Sequence, residues 1–449
     1  MIYRIIKFFA IIGLNLFFKK IVVSGKGRLP LFGPVLLAAN HPNTLMDPML
    51  VSYTSSRNPH VLAKSTLFDN NVLRWIFTRL PIIPVYRKAD VGNNTSKNEM
   101  TFEACYDFLS KGKSIMIFPE GISQMDRQLH PIKTGITRIG LGAELAHNFE
   151  LGVTIMPIGI NYSDPTSFYS NVYVKYGNPI KLQDYRQAYY KDEIATVNAI
   201  TEKIRSDLEY LTATVQKSEV TQAVEALEII YKKELMVDES LLFRTIKQDF
   251  LVTKGIIDAV HWLYDNNPIQ FNAIFEQLQN YMDQLKLYHL EDEFLSDSHT
   301  GIGAYKISRA IFQGFIGLPL FLFGFLTSGI PYQLPRLILN RINIEIEYYS
   351  TVKFLVGMVA YLIIYSLEIW LVAAYFQSPF WTIMFIFLLL PSGKYSLFFK
   401  DKLKEYWRYF QFLVLRKQQP NLVIQLKTRR NDILEILDDL KHIYLNQND

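Results

Sequence analysis

The chain has 449 residues, 49% of them hydrophobic and 20% charged, a length that allows about two to four domains and a composition that excludes intrinsic disorder. Because Cys105 is the only cysteine, an internal disulfide framework and a site with several thiolate ligands are also excluded. The net charge of +5 is small for a nucleic-acid-binding protein, but it suits an anionic membrane surface or an acidic small substrate.

The first predicted element is an apolar helix within residues 1–25. Arg4 and Lys7 lie near its start, and Lys19 and Lys20 follow its apolar run. No small-residue cleavage site follows, so we do not predict a removable signal peptide. The run is short for a membrane span of about 20 residues. We therefore expect a helix that lies in the membrane interface, with its lysines at the lipid headgroups.

Residues 26–190 have the pattern of an α/β domain. Short apolar runs typical of buried parallel strands lie at 34–40, 114–120 and 154–162. Polar stretches compatible with helices lie between them, at 69–80 and 96–113. This alternation favours strands joined by helical crossover connections. Cys105 falls inside the second of these helices, where we expect a small packing residue rather than a nucleophile.

A helical region is predicted over 191–305, because charged residues alternate with apolar residues at helical spacing. We interpret it as a helical domain or a long helical hairpin, with a break near Asn266–Pro268. Amphipathic helices are predicted again over 401–449. Between these regions, residues 306–400 contain most of the chain's apolar excess.

Within 306–400, two apolar runs predict a helical hairpin that crosses a membrane. One covers 354–376 and the other runs from Phe380 to the region of Pro391, with only three residues between them. The apolar block 310–330, interrupted by Pro319, either crosses or re-enters. Basic residues follow the hairpin and predict that this end is cytoplasmic: Lys394, Lys400, Lys402, Lys404 and Arg408. The alternative is that these runs are core helices of a large soluble protein.

A candidate catalytic pair follows the predicted strand 34–40. His41 lies just past its end, which is where α/β sheets place their sites. Pro48 suits the first position of the next helix, with Asp47 as its N-cap. A carboxylate beside one imidazole nitrogen would stabilise the imidazolium, while the other nitrogen takes a proton from a hydroxyl. Alternatively, Asp47 only caps the helix and His41 is an ordinary loop residue.

Candidate ligand-binding residues follow the other strands. Glu120 and Gly121 end the strand 114–120, where they either present a carboxylate and backbone N–H groups or form an ordinary turn. Arg87 follows a short apolar segment and suits bidentate contact with a phosphate, although Arg87 and Lys88 also fit a solvated surface. Lys133 and Lys64 are further candidate cations for the same ligand. The simpler interpretation is that both are exposed lysines that only increase solubility.

Several common motifs are absent from the sequence. It contains no GxGxxG or GxxxxGK[ST] segment, so a dinucleotide site and a P-loop lack support. It contains no G-x-S-x-G nucleophile elbow and no HExxH spacing, so a serine hydrolase site and a zinc site of that kind also lack support.

Together, the polar blocks resemble the PlsC-like glycerolipid acyltransferase superfamily. The matching blocks occur in the family's order: Asn40–Pro48, Arg87, Phe118–Gly121 and Ile155–Ile158. The resemblance implies an α/β fold with a mixed sheet flanked by helices, His41 as catalytic base and Asp47 as its partner. It also implies that Arg87, Glu120 and Gly121 contact a phosphate-bearing acceptor and that Pro157 shapes the acyl or acceptor site. Lys133 is the further candidate cation for that phosphate.

The sequence departs from the commonest family pattern at three places. Five residues separate His41 from Asp47 instead of four, a form typical of a branch of glycerol-3-phosphate and dihydroxyacetone-phosphate acyltransferase-like proteins. Tyr86 stands where an acidic or amide residue often precedes the arginine. Ile122-Ser123 replaces a frequent Thr-Arg, which removes one cation. The segment Thr351–Lys353 before the hydrophobic hairpin also resembles that branch.

The resemblance implies a membrane-bound O-acyltransferase of phospholipid biosynthesis whose active site faces the cytoplasm. The expected donor is acyl-CoA or acyl carrier protein, and the expected acceptor is glycerol-3-phosphate or 1-acylglycerol-3-phosphate. No metal, other cofactor or nucleic acid is expected, and the expected partners are membrane lipids. Three rivals stay open: an acyltransferase for a different lipid hydroxyl, a non-catalytic membrane scaffold that keeps the fold, and a transporter built around the hairpin.

Overall fold

A computed structural model describes residues 2–86, 96–238, 245–296 and 304–448. The chain forms two compact units. The first unit consists of Met1–Gln216, Thr245–Leu251 and Ile344–Thr351. The second consists of Lys217–Arg244, Val252–Asn343 and Val352–Asp449.

The described residues of the first unit form an eight-stranded sheet and seven α-helices. The strands are β1 (Lys20–Ser24), β2 (Val35–Ala39), β3 (His60–Lys64), β4 (Ile82–Val85), β5 (Ser114–Ile117), β6 (Thr154–Tyr162), β7 (Asn171–Tyr176) and β8 (Ile180–Lys181). The helices are α1 (Ile2–Phe17), α2 (Met46–Thr54), α3 (Asn71–Phe77), α4 (Ser96–Ser110), α5 (Gly135–Ala146), α6 (Arg186–Lys191) and α7 (Glu193–Leu211).

The sheet is mixed, with the strand order β1-β7-β6-β2-β5-β3-β4, and β8 pairs with β6. All neighbours are parallel except β6 with β7 and β6 with β8. All five residues of β2 are buried between β5 and β6, as its continuous apolar run predicts. The predicted mixed sheet is therefore confirmed. The run 154–162 forms the predicted strand, which is parallel to β2 and antiparallel to β7 and β8.

Pro157 occupies the interior of β6, where a missing N–H normally breaks a ladder. Thr154 and Ile155 pair with β8, and pairing with β7 begins at Ile158. Pro157 thus lies in the gap between two antiparallel partners, and its carbonyl accepts a hydrogen bond from Gly177 N (2.9 Å). A proline is tolerated there because the N–H that it lacks is not needed for pairing with β7 or β8.

One side of the sheet is covered by a hydrophobic core that includes α7. Val197, Ile200, Ile204 and Leu208 recur at helical spacing on this helix and are buried in the core. The first unit therefore extends to Gln216, beyond the predicted boundary at residue 190. Cys105 is fully buried in the same core, and burial raises the pKa of its thiol to about 12.

Helix α2 begins two residues earlier than the sequence suggests. It starts at Met46 with Leu45 before it, so Asp47 and Pro48 lie within its first turn. Two predictions are therefore wrong by two positions. The residue before the helix is Leu45 rather than Asp47, and the first helical residue is Met46 rather than Pro48. Proline is tolerated there because the first turn of a helix has no intrahelical partner for its N–H groups.

Helix α1 has two faces. Its residues Leu14 and Phe17 are almost fully buried, whereas Phe8 and Ile5 are exposed by 59% and 47%. An exposed apolar stripe on a helix followed by lysines is the pattern expected of a helix at a membrane surface.

The second unit is helical. It is built from α8 (Thr221–Ile230), α9 (Lys232–Asp238), α10 (Ile246–Asn266), α11 (Pro268–Leu287), α12 (Ala304–Leu339), α13 (Tyr349–Phe376), α14 (Pro379–Gln418) and α15 (Pro420–Asn448), of which α10 and α13 begin in the first unit. The predicted break near Asn266–Pro268 is confirmed, since Asn267 caps α11 by accepting a hydrogen bond from Gln270 N.

Two helices of the described residues are long and apolar enough to cross a membrane. They are the helical stretches Ile346–Phe376, which contains α13, and Pro379–Gln418, which is α14. Only 11% and 28% of their most apolar 18-residue stretches are buried. A core helix of a soluble protein would be mostly buried, so these exposed apolar surfaces favour the predicted hairpin. Helix α14 continues without a break past residue 400.

Small residues bring α12 close to α14. A Cβ on Gly324 would lie 2.1 Å from the Ser392 carbonyl oxygen, so the two backbones touch there. Ser328 and Tyr365 share a hydrogen bond between their hydroxyl oxygens (2.8 Å), which joins α12 to α13. Close approach at small residues and hydroxyl hydrogen bonds between helices are typical of packing in membranes.

Candidate active site

The predicted catalytic pair forms at the carboxyl edge of the sheet. His41 follows β2, and its Nδ1 donates a hydrogen bond to Asp47 Oδ2 (2.8 Å). The His41 side chain is 19% exposed, whereas that of Asp47 is fully buried. Nδ1 is engaged by the carboxylate, so Nε2 is the ring nitrogen that can accept a proton from a substrate.

Asp47 has two further donors that compensate for its loss of water. Asn43 N donates to Oδ2 (2.7 Å), and the Tyr162 hydroxyl donates to Oδ1 (2.6 Å). A buried carboxylate is tolerated only when its oxygens are hydrogen-bonded in this way. Burial, and then the neighbouring Asp47 carboxylate, raise the pKa of Tyr162 well above its ordinary value, so this phenol stays a donor.

Glu120 joins the two predicted polar blocks. Its Oε1 accepts from His41 N (2.9 Å), and its Oε2 accepts from His130 N (3.1 Å). The side chain is buried, and this burial raises the pKa of Glu120 although the two amide hydrogen bonds oppose the shift. Glu120 therefore holds the backbone at His41 in place.

The ring of His41 also stacks on Phe118, the residue that follows β5. The two ring centroids are 4.0 Å apart and the planes are inclined by 16°. In addition, Gln124 N donates to the His41 carbonyl (3.2 Å). The imidazole is thus oriented by a carboxylate at its edge and an aromatic ring on its face.

Gly121 and Lys133 lie together beside this turn. Gly121 has φ +73°, a conformation that L side chains rarely adopt, and a Cβ there would lie 2.5 Å from Lys133 Nζ. Lys133 N also donates to the Pro119 carbonyl (2.9 Å). The structure therefore brings Glu120, Gly121 and Lys133 together with His41, and an exposed ammonium lies next to the turn.

The remaining predicted residues have different outcomes. Arg87 and Lys88 lie outside the described residues; the chain is described up to Tyr86, just after β4. Lys64 is exposed and ends β3, which is parallel to β5, so it lies at the same edge of the sheet as His41. Pro157 is buried inside β6, five residues before Tyr162, and its visible role is structural.

Sequence reasoning missed Tyr162 and His130. Tyr162 is the last residue of β6, the strand next to β2, so its position at the strand's carboxyl end was the available signal. His130 forms a second pair with a carboxylate, because its Nε2 lies 3.0 Å from Asp126 Oδ2. No spacing rule marks that pair.

Comparison with known proteins agrees with this geometry. Residues 20–161 match the family model Acyltransferase. These residues form an acyltransferase domain. The match spans β1 to β6 and includes His41, Asp47 and Glu120, so the acyltransferase family suggested by the polar blocks is confirmed.

Two curated proteins from Saccharomyces cerevisiae are similar to this chain. Glycerol-3-phosphate O-acyltransferase 1 is 24% identical over 315 residues, which are 66% of this chain and 39% of the relative. Glycerol-3-phosphate O-acyltransferase 2 is 30% identical over 136 residues, which are 30% of this chain and 18% of the relative. The chain thus matches less than two fifths of each relative's length.

A solved structure also aligns with the acyltransferase domain. It is the 1-acyl-sn-glycerophosphate acyltransferase PlsC from Thermotoga maritima, with 18% sequence identity and a TM-score of 0.33. The alignment covers 45% of this chain and 78% of that chain.

Proposed function

We propose that this chain is a membrane-bound acyltransferase that transfers a fatty acyl group to glycerol-3-phosphate or 1-acylglycerol-3-phosphate. The observation that carries the proposal is the His41–Asp47 pair, with a 2.8 Å hydrogen bond from Nδ1 and a partly exposed ring. The proposed donor is acyl-CoA or acyl carrier protein. The names of the two yeast relatives support glycerol-3-phosphate as the acceptor.

In the proposed reaction, His41 Nε2 takes the proton of the acceptor hydroxyl. The oxygen attacks the carbonyl carbon of the donor thioester, a new C–O bond forms and the C–S bond breaks. The imidazolium then returns its proton to the leaving thiolate. Asp47 stabilises the imidazolium between these two transfers, because its carboxylate is fixed by Asn43 and Tyr162.

The proposed phosphate site lies beside Gly121, where Lys133 supplies a cation. Arg87 is proposed as its second cation, because a guanidinium suits bidentate contact with phosphate. For Glu120 we propose a role other than the one that the resemblance implies. We propose that it positions His41 through the main chain, since both of its oxygens accept backbone N–H groups.

Membrane attachment is proposed through the α13–α14 hairpin and the exposed face of α1. The lysines and arginines that follow the hairpin favour a cytoplasmic active site. Protease protection of right-side-out vesicles tests this orientation. We expect a protease to cut on the carboxyl side of Lys394 only when the cytoplasmic face of the vesicles is exposed. A cut there from the outer face would contradict the proposed orientation.

An acceptor panel tests the proposed substrate. The full chain in lipid vesicles is incubated with acyl-CoA or acyl carrier protein and with phosphate-bearing or neutral lipid hydroxyl acceptors. We expect acyl transfer to glycerol-3-phosphate or 1-acylglycerol-3-phosphate. Transfer to a neutral hydroxyl alone would favour the rival acyltransferase, and no transfer to any acceptor would favour the scaffold.

A further inference from the structure

Thr44, in the loop between His41 and Asp47, has an unusual backbone conformation. Its φ is +28°, on the left-handed side of the map. A β-branched residue with positive φ is a genuine outlier and persists only where its surroundings hold it. The hydrogen bonds that hold Thr44 therefore show what fixes the loop between His41 and Asp47.

The contacts come from two distant parts of the chain. Thr44 N donates to Ser123 Oγ (2.9 Å). The Thr44 hydroxyl donates to the Glu347 carbonyl (3.0 Å) and lies 2.7 Å from the Thr351 hydroxyl oxygen. Since the single Thr44 hydroxyl proton is used on Glu347, the Thr351 hydroxyl is the donor to Thr44 Oγ1.

The same segment also shares a hydrogen-bond acceptor with the neighbouring residue, Asn43. Asn43 Nδ2 donates to the Pro165 carbonyl (2.7 Å), and the Ser350 hydroxyl donates to that same carbonyl. Both Asn43 and Ser350 are fully buried. Segment 344–351 belongs to the first unit together with the loop, so these contacts lie within one compact body.

The loop residue Asn43 also contacts the catalytic carboxylate of Asp47. Asn43 N donates to Asp47 Oδ2, the same oxygen that His41 Nδ1 contacts. That N–H lies in the peptide plane between Pro42 and Asn43, directly before Thr44, so its position depends on how this loop is held. Segment 344–351 is therefore linked to the catalytic pair through the hydrogen bonds of the loop.

We propose that Thr351, assisted by Ser350, is a positioning residue of the acyl-transfer site. It holds the strained Asn43–Thr44 backbone so that Asn43 N–H points at Asp47, which keeps His41 oriented. Thr351 lies in the first turn of α13, so the start of this apolar helix contacts the catalytic loop. The inference rests on the proposed function for its kinetic part only.

The test compares Thr351→Val with Thr351→Ser in the full chain. Valine keeps the branched shape and removes the hydroxyl, whereas serine keeps the donor. We expect Thr351→Val to lower kcat about 3- to 10-fold, the size of one lost hydrogen bond, with KM for donor and acceptor unchanged. Thr351→Ser should restore kcat.

Thr382→Val is the matched control. Thr382 lies in α14, where its hydroxyl donates to the Ser378 carbonyl one turn earlier (3.1 Å). The substitution is the same and falls in the neighbouring apolar helix. We expect it to leave kcat and KM at wild-type values.

Hydrogen exchange gives a readout that does not depend on activity. Deuterium uptake is measured by mass spectrometry in the peptide that contains residues 40–50. We expect faster exchange of the Asn43 and Thr44 amides in Thr351→Val, and wild-type exchange in Thr351→Ser and Thr382→Val.

The outcomes separate the inference from the proposed function. Wild-type kcat and wild-type exchange in Thr351→Val would overturn the inference, as would a loss that serine does not restore or that Thr382→Val reproduces. If the wild-type chain transfers no acyl group to any acceptor while exchange still rises in Thr351→Val, the proposed function fails and the positioning contact stands.

Discussion

At the scale of single residues, the site is a set of donors directed at one buried carboxylate. Asp47 receives hydrogen bonds from the His41 ring, the Asn43 amide and the Tyr162 hydroxyl; the first two lie in the loop after β2 and the third ends β6. A carboxylate held in this way keeps its position when the imidazole becomes charged. The geometry therefore suits a base that gains and releases a proton in each cycle.

Tyr162→Phe should weaken this site without changing the fold. The phenol is a charge-assisted donor to Asp47, and its loss is expected to lower kcat about tenfold, which corresponds to roughly 1.4 kcal/mol. Steady-state kinetics provide the measurement. Tyr190→Phe is the control, since Tyr190 lies on α6 and is 59% exposed. Equal kcat in wild-type and Tyr162→Phe chains would show that this donor is dispensable.

Cys105 should be inert to thiol reagents in the folded chain. Its thiol is fully buried and has a pKa of about 12, so almost no thiolate exists at neutral pH. We expect alkylation by iodoacetamide only after unfolding. Ser110→Cys supplies an exposed thiol on the same helix as a positive control. Rapid alkylation of native wild-type chain would contradict the burial of Cys105.

At the scale of elements, sequence patterns predict those strands and motifs whose signal lies within a few consecutive residues. The continuous apolar runs of β2, β5 and β6 are local and form strands as predicted, and the structure brings the candidate residues His41, Asp47 and Glu120 together. Strands β1, β3 and β7 were not predicted, because each is short and partly buried and is defined by its partners in the sheet. Tyr162 and Thr351 also escaped prediction, since they lie 115 and 307 residues from the loop positions they contact.

The elements of the second unit are joined by a buried ion cluster. Arg430 on α15 donates to Asp292 (3.0 Å) and to Glu234 on α9 (2.8 Å), and Tyr281 on α11 donates to Asp292 (2.7 Å). The Arg430 side chain is 4% exposed. Burial raises the pKa of Asp292, although Arg430 and Tyr281 oppose that shift.

Arg430→Ala should destabilise this unit strongly. Removal of one partner leaves a buried carboxylate uncompensated, which costs about 3–5 kcal/mol in comparable cases. Thermal unfolding in detergent, followed by circular dichroism, should show a marked fall in Tm. Arg429→Ala is the adjacent control, because Arg429 is exposed. If both variants unfold at the wild-type temperature, the cluster does not stabilise the unit.

At the scale of the whole molecule, the high apolar content is explained by where the apolar residues lie. The apolar excess lies in α1, α13 and α14, whose apolar side chains are largely exposed. The acyltransferase domain has an ordinary buried core and a polar site at one edge of its sheet. A chain of this kind is expected when one substrate is a lipid and the other reaches the site from water.

The central claim is that His41 is the base of an acyl transfer, and His41→Ala tests it most directly. The measurement is the rate of acyl transfer from acyl-CoA or acyl carrier protein to glycerol-3-phosphate or 1-acylglycerol-3-phosphate by wild-type and variant chains in vesicles. We predict a loss on the order of 10²–10⁴-fold in kcat, with unchanged Tm. A His41→Ala chain that turns over at the wild-type rate would contradict the account.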